Sequence, residues 1–135
     1  MPAISKAFDT TDNSILVTEV SSFQLETIEK FKPKISAVLN ITPDHLNRHK
    51  TMKNYIDSKA RIFMNQDDND IVILNYDNIE TRNSSKRANC KIVFFSRKEK
   101  LTNGVYVDNE YIVVALNGSK DYICKVKDIY MPGSH

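Results

Sequence analysis

Short runs that are apolar at consecutive positions alternate along this chain with segments whose apolar residues recur every three or four. The runs at 15–20, 35–41, 70–75 and 88–96 predict strands, because a strand covered by helices on both faces reads as continuous apolar sequence. The segments at 23–30 and 52–65 predict helices, and in the second Met52, Tyr55, Ile56, Ile62 and Phe63 fall on one stripe, while 77–86 reads as a short polar helix. This strand–helix alternation argues for a parallel sheet. The boundary residues agree. Ser21 and Gln24 form a Ser-x-x-Gln capping box before the first helix, and Pro33 ends that segment. Thr42 followed by Pro43 predicts an N-cap and first helical position, with His45 in the first turn. After Lys98 the pattern shortens to strands at 105–107, 111–116 and 122–126, parted by Asp108-Asn109 and Asn117-Gly118, which predicts small antiparallel hairpins. The opening residues 1–13 read as a helix fragment (Ile4, Ala7, Phe8) and a turn.

Composition narrows the partners. A chain of 135 residues is long enough for one core, and a net charge of +2 gives no footing for nucleic acid or an anionic membrane surface. No stretch approaches the roughly 18 apolar residues of a membrane-spanning helix, and no signal-peptide pattern opens the chain. Cys90 and Cys124 are far apart in predicted strands, without metal or redox spacing, so a reducing cytoplasmic setting with two buried thiols is expected.

The candidate chemistry gathers between 19 and 63. Ligands of parallel sheets sit beyond the carboxyl ends of the strands, where Glu19 and His45 fall. A helix N-terminus at His45 would favour anions such as phosphate. Lys59 lies on the apolar stripe, so its ammonium must snorkel, find a carboxylate, or give up its charge. His45 and His49 are four apart and could form half a zinc site, but no third ligand accompanies them and Arg48 and Lys50 crowd the pair. His49 is therefore expected to matter little. Asp77, at the end of a predicted strand, suits a turn as well as a site.

Four runs carry a resemblance. Glu19-Val-Ser-Ser-Phe-Gln-Leu-Glu26, Asn40-Ile-Thr-Pro-Asp-His-Leu-Asn-Arg-His49, Lys59-Ala-Arg-Ile-Phe63 and Asn75-Tyr-Asp77 together resemble the central domain of the Mur ligases, in order and at the right spacing. The Ser-Ser-Phe-Gln-Leu-Glu run is similar to the branch of that family that adds D-glutamate. The resemblance covers most of 1–98 and implies an α/β fold: a partial P-loop-type parallel sheet flanked by helices, followed by antiparallel hairpins over 99–130. Residues 131–135 would begin a linker, or be an expression remnant. With only Gly104, Gly118 and Gly133 the chain has no phosphate-wrapping glycine loop. In the family that loop lies upstream of the matching region, so the phosphate-loop strand would be missing and the chain a fragment, inactive alone, of a protein with further N-terminal and C-terminal regions.

The resemblance further implies ATP and magnesium (Mg2+) as cofactors, and UDP-N-acetylmuramoyl-L-alanine and D-glutamate as substrates joined through an acyl phosphate. It assigns Glu19 and His45 to magnesium, Lys59 to a carbamylated lysine binding a second magnesium, and Ser21 and Gln24 to the muramoyl substrate. His45 and Lys59 would be the catalytic pair. The sequence departs from the family pattern at Asn47 and Asn78, where aspartates are common. Two other classes compete: a free-standing metal-dependent hydrolase using Glu19 and His45, and a non-catalytic interaction module lacking the nucleotide loop.

Overall fold

The computed structural model describes residues 9–130, so the helix fragment expected near Phe8 and the tail at 131–135 lie outside the described residues. The order of elements is α1 (Ser22–Leu25), β1 (Ile35–Val38), α2 (Leu46–His49), α3 (Met52–Ala60), β2 (Ile71–Asn75), α4 (Ile79–Ser84), β3 (Lys91–Ser96), β4 (Gly104–Asp108), β5 (Tyr111–Leu116) and β6 (Ser119–Lys125). All six strands form one sheet in sequence order; β1 to β4 pair in parallel and β4 to β6 antiparallel, so the hairpins extend the parallel part.

Helices flank the sheet, mainly on one side. Right-handed crossovers that step the same way across a sheet put their helices on one face. The two crossovers, β1 to β2 and β2 to β3, step the same way, and α3 and α4 touch each other, with Arg87 bridging to Asp57 of α3 at 2.8 Å. Val38, Val72 and Leu74 on that face form the main core with Tyr55, Ala60 and Phe63. Burying the valine, leucine and phenylalanine side chains among them contributes about 1.5–3 kcal/mol each. The opposite face is only partly covered: Ile71 and Ile73 are half-buried and Ile35 exposed. Tyr106, Val113 and Ala115 make a second small core under the hairpins.

Two expectations are corrected. Residues 15–20 belong to no strand, because among the described residues nothing pairs with them; Ile15 is 90% and Val17 89% exposed. The first helix stops after Leu25 instead of running to 30. Arg61 takes the carbonyls of Leu25 (Nε, 2.6 Å) and Ile28 (Nη2, 2.7 Å), and Asn65 those of Glu29 and Phe31 (2.8 and 3.0 Å). Those acceptors would otherwise close helical turns.

The connections obey local rules. Asn117 and Gly118 both have positive φ, as a tight two-residue hairpin requires. β4 returns so close to β3 that a Cβ on Gly104 would collide with the Phe94 carbonyl. Gln66 fastens the lower end of the sheet: its side-chain oxygen accepts from Ser36 (2.8 Å), and its amide donates to the carbonyls of Pro33 (2.9 Å) and Ile71 (3.0 Å).

Beside Gln66, Lys32 bridges Asp67 and Asp70, and Lys34 reaches Asp70 at 3.2 Å. The hydrogen bond from Lys32, then the N–H of Asn69, hold Asp67 at about 2 against an ordinary 3.8. The N–H of Asp67, then Lys34 and Lys32, lower Asp70. Folded values below the unfolded ones mean stability that is present above the unfolded pKa and lost as pH falls through the folded one. The melting temperature should therefore drop as pH is lowered from 4 toward 2, and Asp67→Asn should flatten that part of the profile; an unchanged slope would remove this cluster as its cause.

The exposed Ile15 and Val17, with Ile35 and Leu39 at the open edge of β1, present apolar surface beside unpaired strand backbone. The 135-residue chain in isolation should self-associate in light scattering. A monodisperse monomer that melts cooperatively would contradict this.

Candidate functional site

α1 begins with the expected reciprocal cap. Ser21 Oγ accepts from Gln24 N at 3.3 Å, and Gln24 Oε1 accepts from Ser21 N at 2.9 Å. The expected helix start at Thr42-Pro43 does not form. Asp44 Oδ1 instead accepts from His45 N at 2.7 Å, a local bond that favours a turn, and His45 takes a left-handed conformation (φ 53) as the N-cap of α2. His45 therefore stands at the mouth of its helix, beyond the carboxyl end of β1. Thr51 opens α3 by accepting from Asn54 N at 3.1 Å, and α3 then presents Tyr55 and, one turn later, Lys59.

These elements surround an open cavity of about 430 Å³ lined by Glu19, Ser21, Gln24, His45 and Lys59, with Val20, Ser22, Asp44 and Tyr55 completing the wall. The five residues to which the resemblance gave roles thus border one space. Asp44, to which the sequence gives no role, and Tyr55, which it places on the apolar stripe, also border this space. The signal for Asp44 was its place immediately before His45, whose Nε2 lies 3.4 Å from Asp44 Oδ2. The Lys59 ammonium stands over the Tyr55 ring, 5.7 Å from its centroid, and among the described residues no carboxylate pairs with it. Burial, then the charge of Asp44, push the Tyr55 phenol above its ordinary pKa, so it remains a neutral donor near pH 7.

Other candidates fall outside the cavity wall. His49 is buried, with Nε2 3.0 Å from Ser22 Oγ, and its ring stacks on Phe23 at 5.4 Å while His45 meets Phe23 at 5.0 Å. Asp77 is a turn residue: its N–H donates to Asn75 Oδ1, and its carboxylate accepts from Ser96 Oγ and Arg97 N. Among the described residues no three His, Cys, Asp or Glu side chains converge as a preformed metal cluster. Of the two expected donors, the Glu19 carboxylate is of the oxygen type that magnesium takes, whereas the imidazole of His45 is not a ligand type that magnesium prefers.

Comparison with known proteins decides the kinship. The model of the Mur ligase middle domain matches residues 1–135. The chain belongs to the Mur ligase middle-domain family. Among curated relatives of this Mur ligase domain, the UDP-N-acetylmuramoylalanine--D-glutamate ligase of Thermoanaerobacter sp. (strain X514) is 46% identical over 134 residues, 99% of this chain and 30% of the relative. The ligase of the same name from Alkaliphilus oremlandii (strain OhILAs) is 49% identical over 132 residues, 98% of this chain and 29% of the relative. That from Clostridioides difficile (strain 630) is 46% identical over 134 residues, 99% and 30%. The chain therefore spans about 30% of the length of the curated relatives it matches. A crystal structure of MurF ligase from Thermotoga maritima in complex with ADP is more distantly similar, at a TM-score of 0.46 and 17% identity over 68% of this chain and 22% of that one; a likeness so loose carries no argument.

The two departures from the Mur ligase pattern have local duties. Asn47 Oδ1 accepts from Arg48 N at 3.0 Å. Asn78 caps α4 through Thr81 N at 3.0 Å and donates to the Ile41 carbonyl at 3.1 Å, tying α4 to the loop that leads to His45. Because the cap of α1 is reciprocal, Ser21→Ala should cost about 1 kcal/mol of stability. Chemical denaturation checks this, and a loss within about 0.2 kcal/mol of zero would mean that α1 is held by its tertiary contacts alone.

Proposed function

We propose that this chain is the middle part of an ATP-dependent ligase of peptidoglycan precursor synthesis, joining D-glutamate to UDP-N-acetylmuramoyl-L-alanine in the cytoplasm. The observation that carries the reading is the single cavity bordered by Glu19, Ser21, Gln24, His45 and Lys59. Kinship with ligases of that name supports it. Among the described residues no helix is long and apolar enough to cross a membrane, which fits a nucleotide-linked substrate met in the cytoplasm.

In this reading a substrate carboxylate takes the terminal phosphoryl group of ATP, giving an acyl phosphate and ADP. The amine of D-glutamate then attacks the acyl carbon, and phosphate leaves as the amide forms. Such transfers depend on positioning and on charge placed where charge develops. Glu19 and His45 would hold magnesium, which supplies positive charge at the phosphoryl oxygens. Lys59, if carbamylated, becomes an anion able to hold a second cation, and Tyr55 stands under its side chain as a neutral wall. Ser21 and Gln24 would face the muramoyl substrate, with Gln24 Oε1 already committed to the cap. Phosphate wrapping and the rest of the nucleotide site would come from regions N-terminal and C-terminal to this one.

The test uses the full-length protein that carries this chain, supplied with ATP, magnesium and both substrates, with phosphate release and product followed together. Lys59→Ala should lower kcat by on the order of 100-fold or more, with ATP affinity little changed. Carbon-13 bicarbonate should give a carbamate signal that the variant lacks. Near-normal turnover by Lys59→Ala would reduce Lys59 to a packing residue, and failure of the wild type to join D-glutamate would refute the substrate assignment.

A further inference from the structure

Behind the cavity wall lies a chain of contacts that the proposed chemistry does not use. His49 is 5% exposed; its Nε2 is 3.0 Å from Ser22 Oγ and its Nδ1 3.5 Å from Glu26 Oε1. The order of atoms is that of a nucleophilic triad, yet Ser22 is only 2% exposed, too buried for its hydroxyl to attack. What the contacts do is fasten elements together. α1 and α2 are helices of four residues, too short to hold themselves. The His49 ring joins them through Ser22 and Glu26 and by stacking on Phe23 at an interplanar angle of 10°, and Phe23 meets His45 on its other contact. Arg48 reinforces the join, bonding Glu26 at 2.8 Å. The His49 carbonyl accepts from Asn54 Nδ2 at 2.9 Å, and the ring leans on Tyr55 at 5.1 Å, which adds α3.

Ser21 and Gln24 ride on α1, His45 heads α2, and Lys59 sits on α3, so the three walls of the cavity meet at one imidazole. We propose that His49 is a positioning residue that sets His45 against the capped helix and the lysine. The proposal rests on the reading of this cavity as the reacting site. It also reverses the expectation that His49 matters little.

The test again uses the full-length protein, in which His49→Phe keeps the stacked ring and removes both nitrogens, while His49→Gln keeps hydrogen-bonding groups. Melting temperature, kcat, KM for ATP and the ring nitrogen-15 signals of labelled histidine are measured, the His45 signal being assigned from its loss in His45→Asn. His49→Phe should lower kcat by on the order of 10–100-fold with KM for ATP within about threefold, and should move the His45 signal. His49→Gln should restore part of kcat, and Ser22→Ala should add little to His49→Phe, since both break one link. A lowered melting temperature with kcat and the His45 signal unchanged would overturn the proposal, leaving His49 a packing residue. If the wild type fails to ligate, the functional reading falls while the His45 signal still decides the positioning.

Discussion

The seating of α3 and its short extension on the β1–β2 face is the constraint on which the rest of the structure depends. Tyr55, Ala60 and Phe63 fill the core from that segment, and nearly every other site element hangs from its polar side chains. Asn54 holds the carbonyl of His49, Arg61 holds those of Leu25 and Ile28, and Asn65 and Gln66 hold 29, 31 and 33. Each bond satisfies a backbone acceptor that a loop near the core would otherwise leave short of partners. The helix thus serves as both core and scaffold, and Lys59 faces the cavity because the opposite side of its turn is committed to packing.

Much of this was legible in the sequence wherever the deciding forces are local. The Ser21–Gln24 box, the Asn117-Gly118 turn and the apolar stripe of 52–65 all formed, because caps, hairpin turns and helical periodicity depend on neighbours a few residues away. Strands 71–75 and 91–96 followed from unbroken apolar runs. Two of the misreadings share one cause, distance along the chain. Whether 15–20 becomes a strand depends on a partner, and where the first helix ends depends on Arg61, 36 residues beyond the Leu25 carbonyl it takes.

The same distinction applies to the site. Glu19, His45 and Lys59 announce themselves by chemistry or by an anomalous position, and the cavity gathers them. His49 does not, since its meaning lies in Ser22, which is 27 residues away. His45 was misplaced within its turn for the opposite reason: the Asp44 side chain adjoining it redirected the backbone where proline had suggested a helix.

The unpaired segment 15–20 has a thermodynamic consequence. Glu19 lines the cavity from a stretch that has no sheet ladder among the described residues, whereas His45 caps α2 and Lys59 belongs to α3. A cation that ordered that stretch on binding Glu19 would have to offset roughly 1–2 kcal/mol for each backbone residue immobilised. Pairing of the same stretch elsewhere in a longer protein would remove that cost in advance, so affinity at the cavity and completion of the sheet are linked quantities: whatever strengthens one strengthens the other.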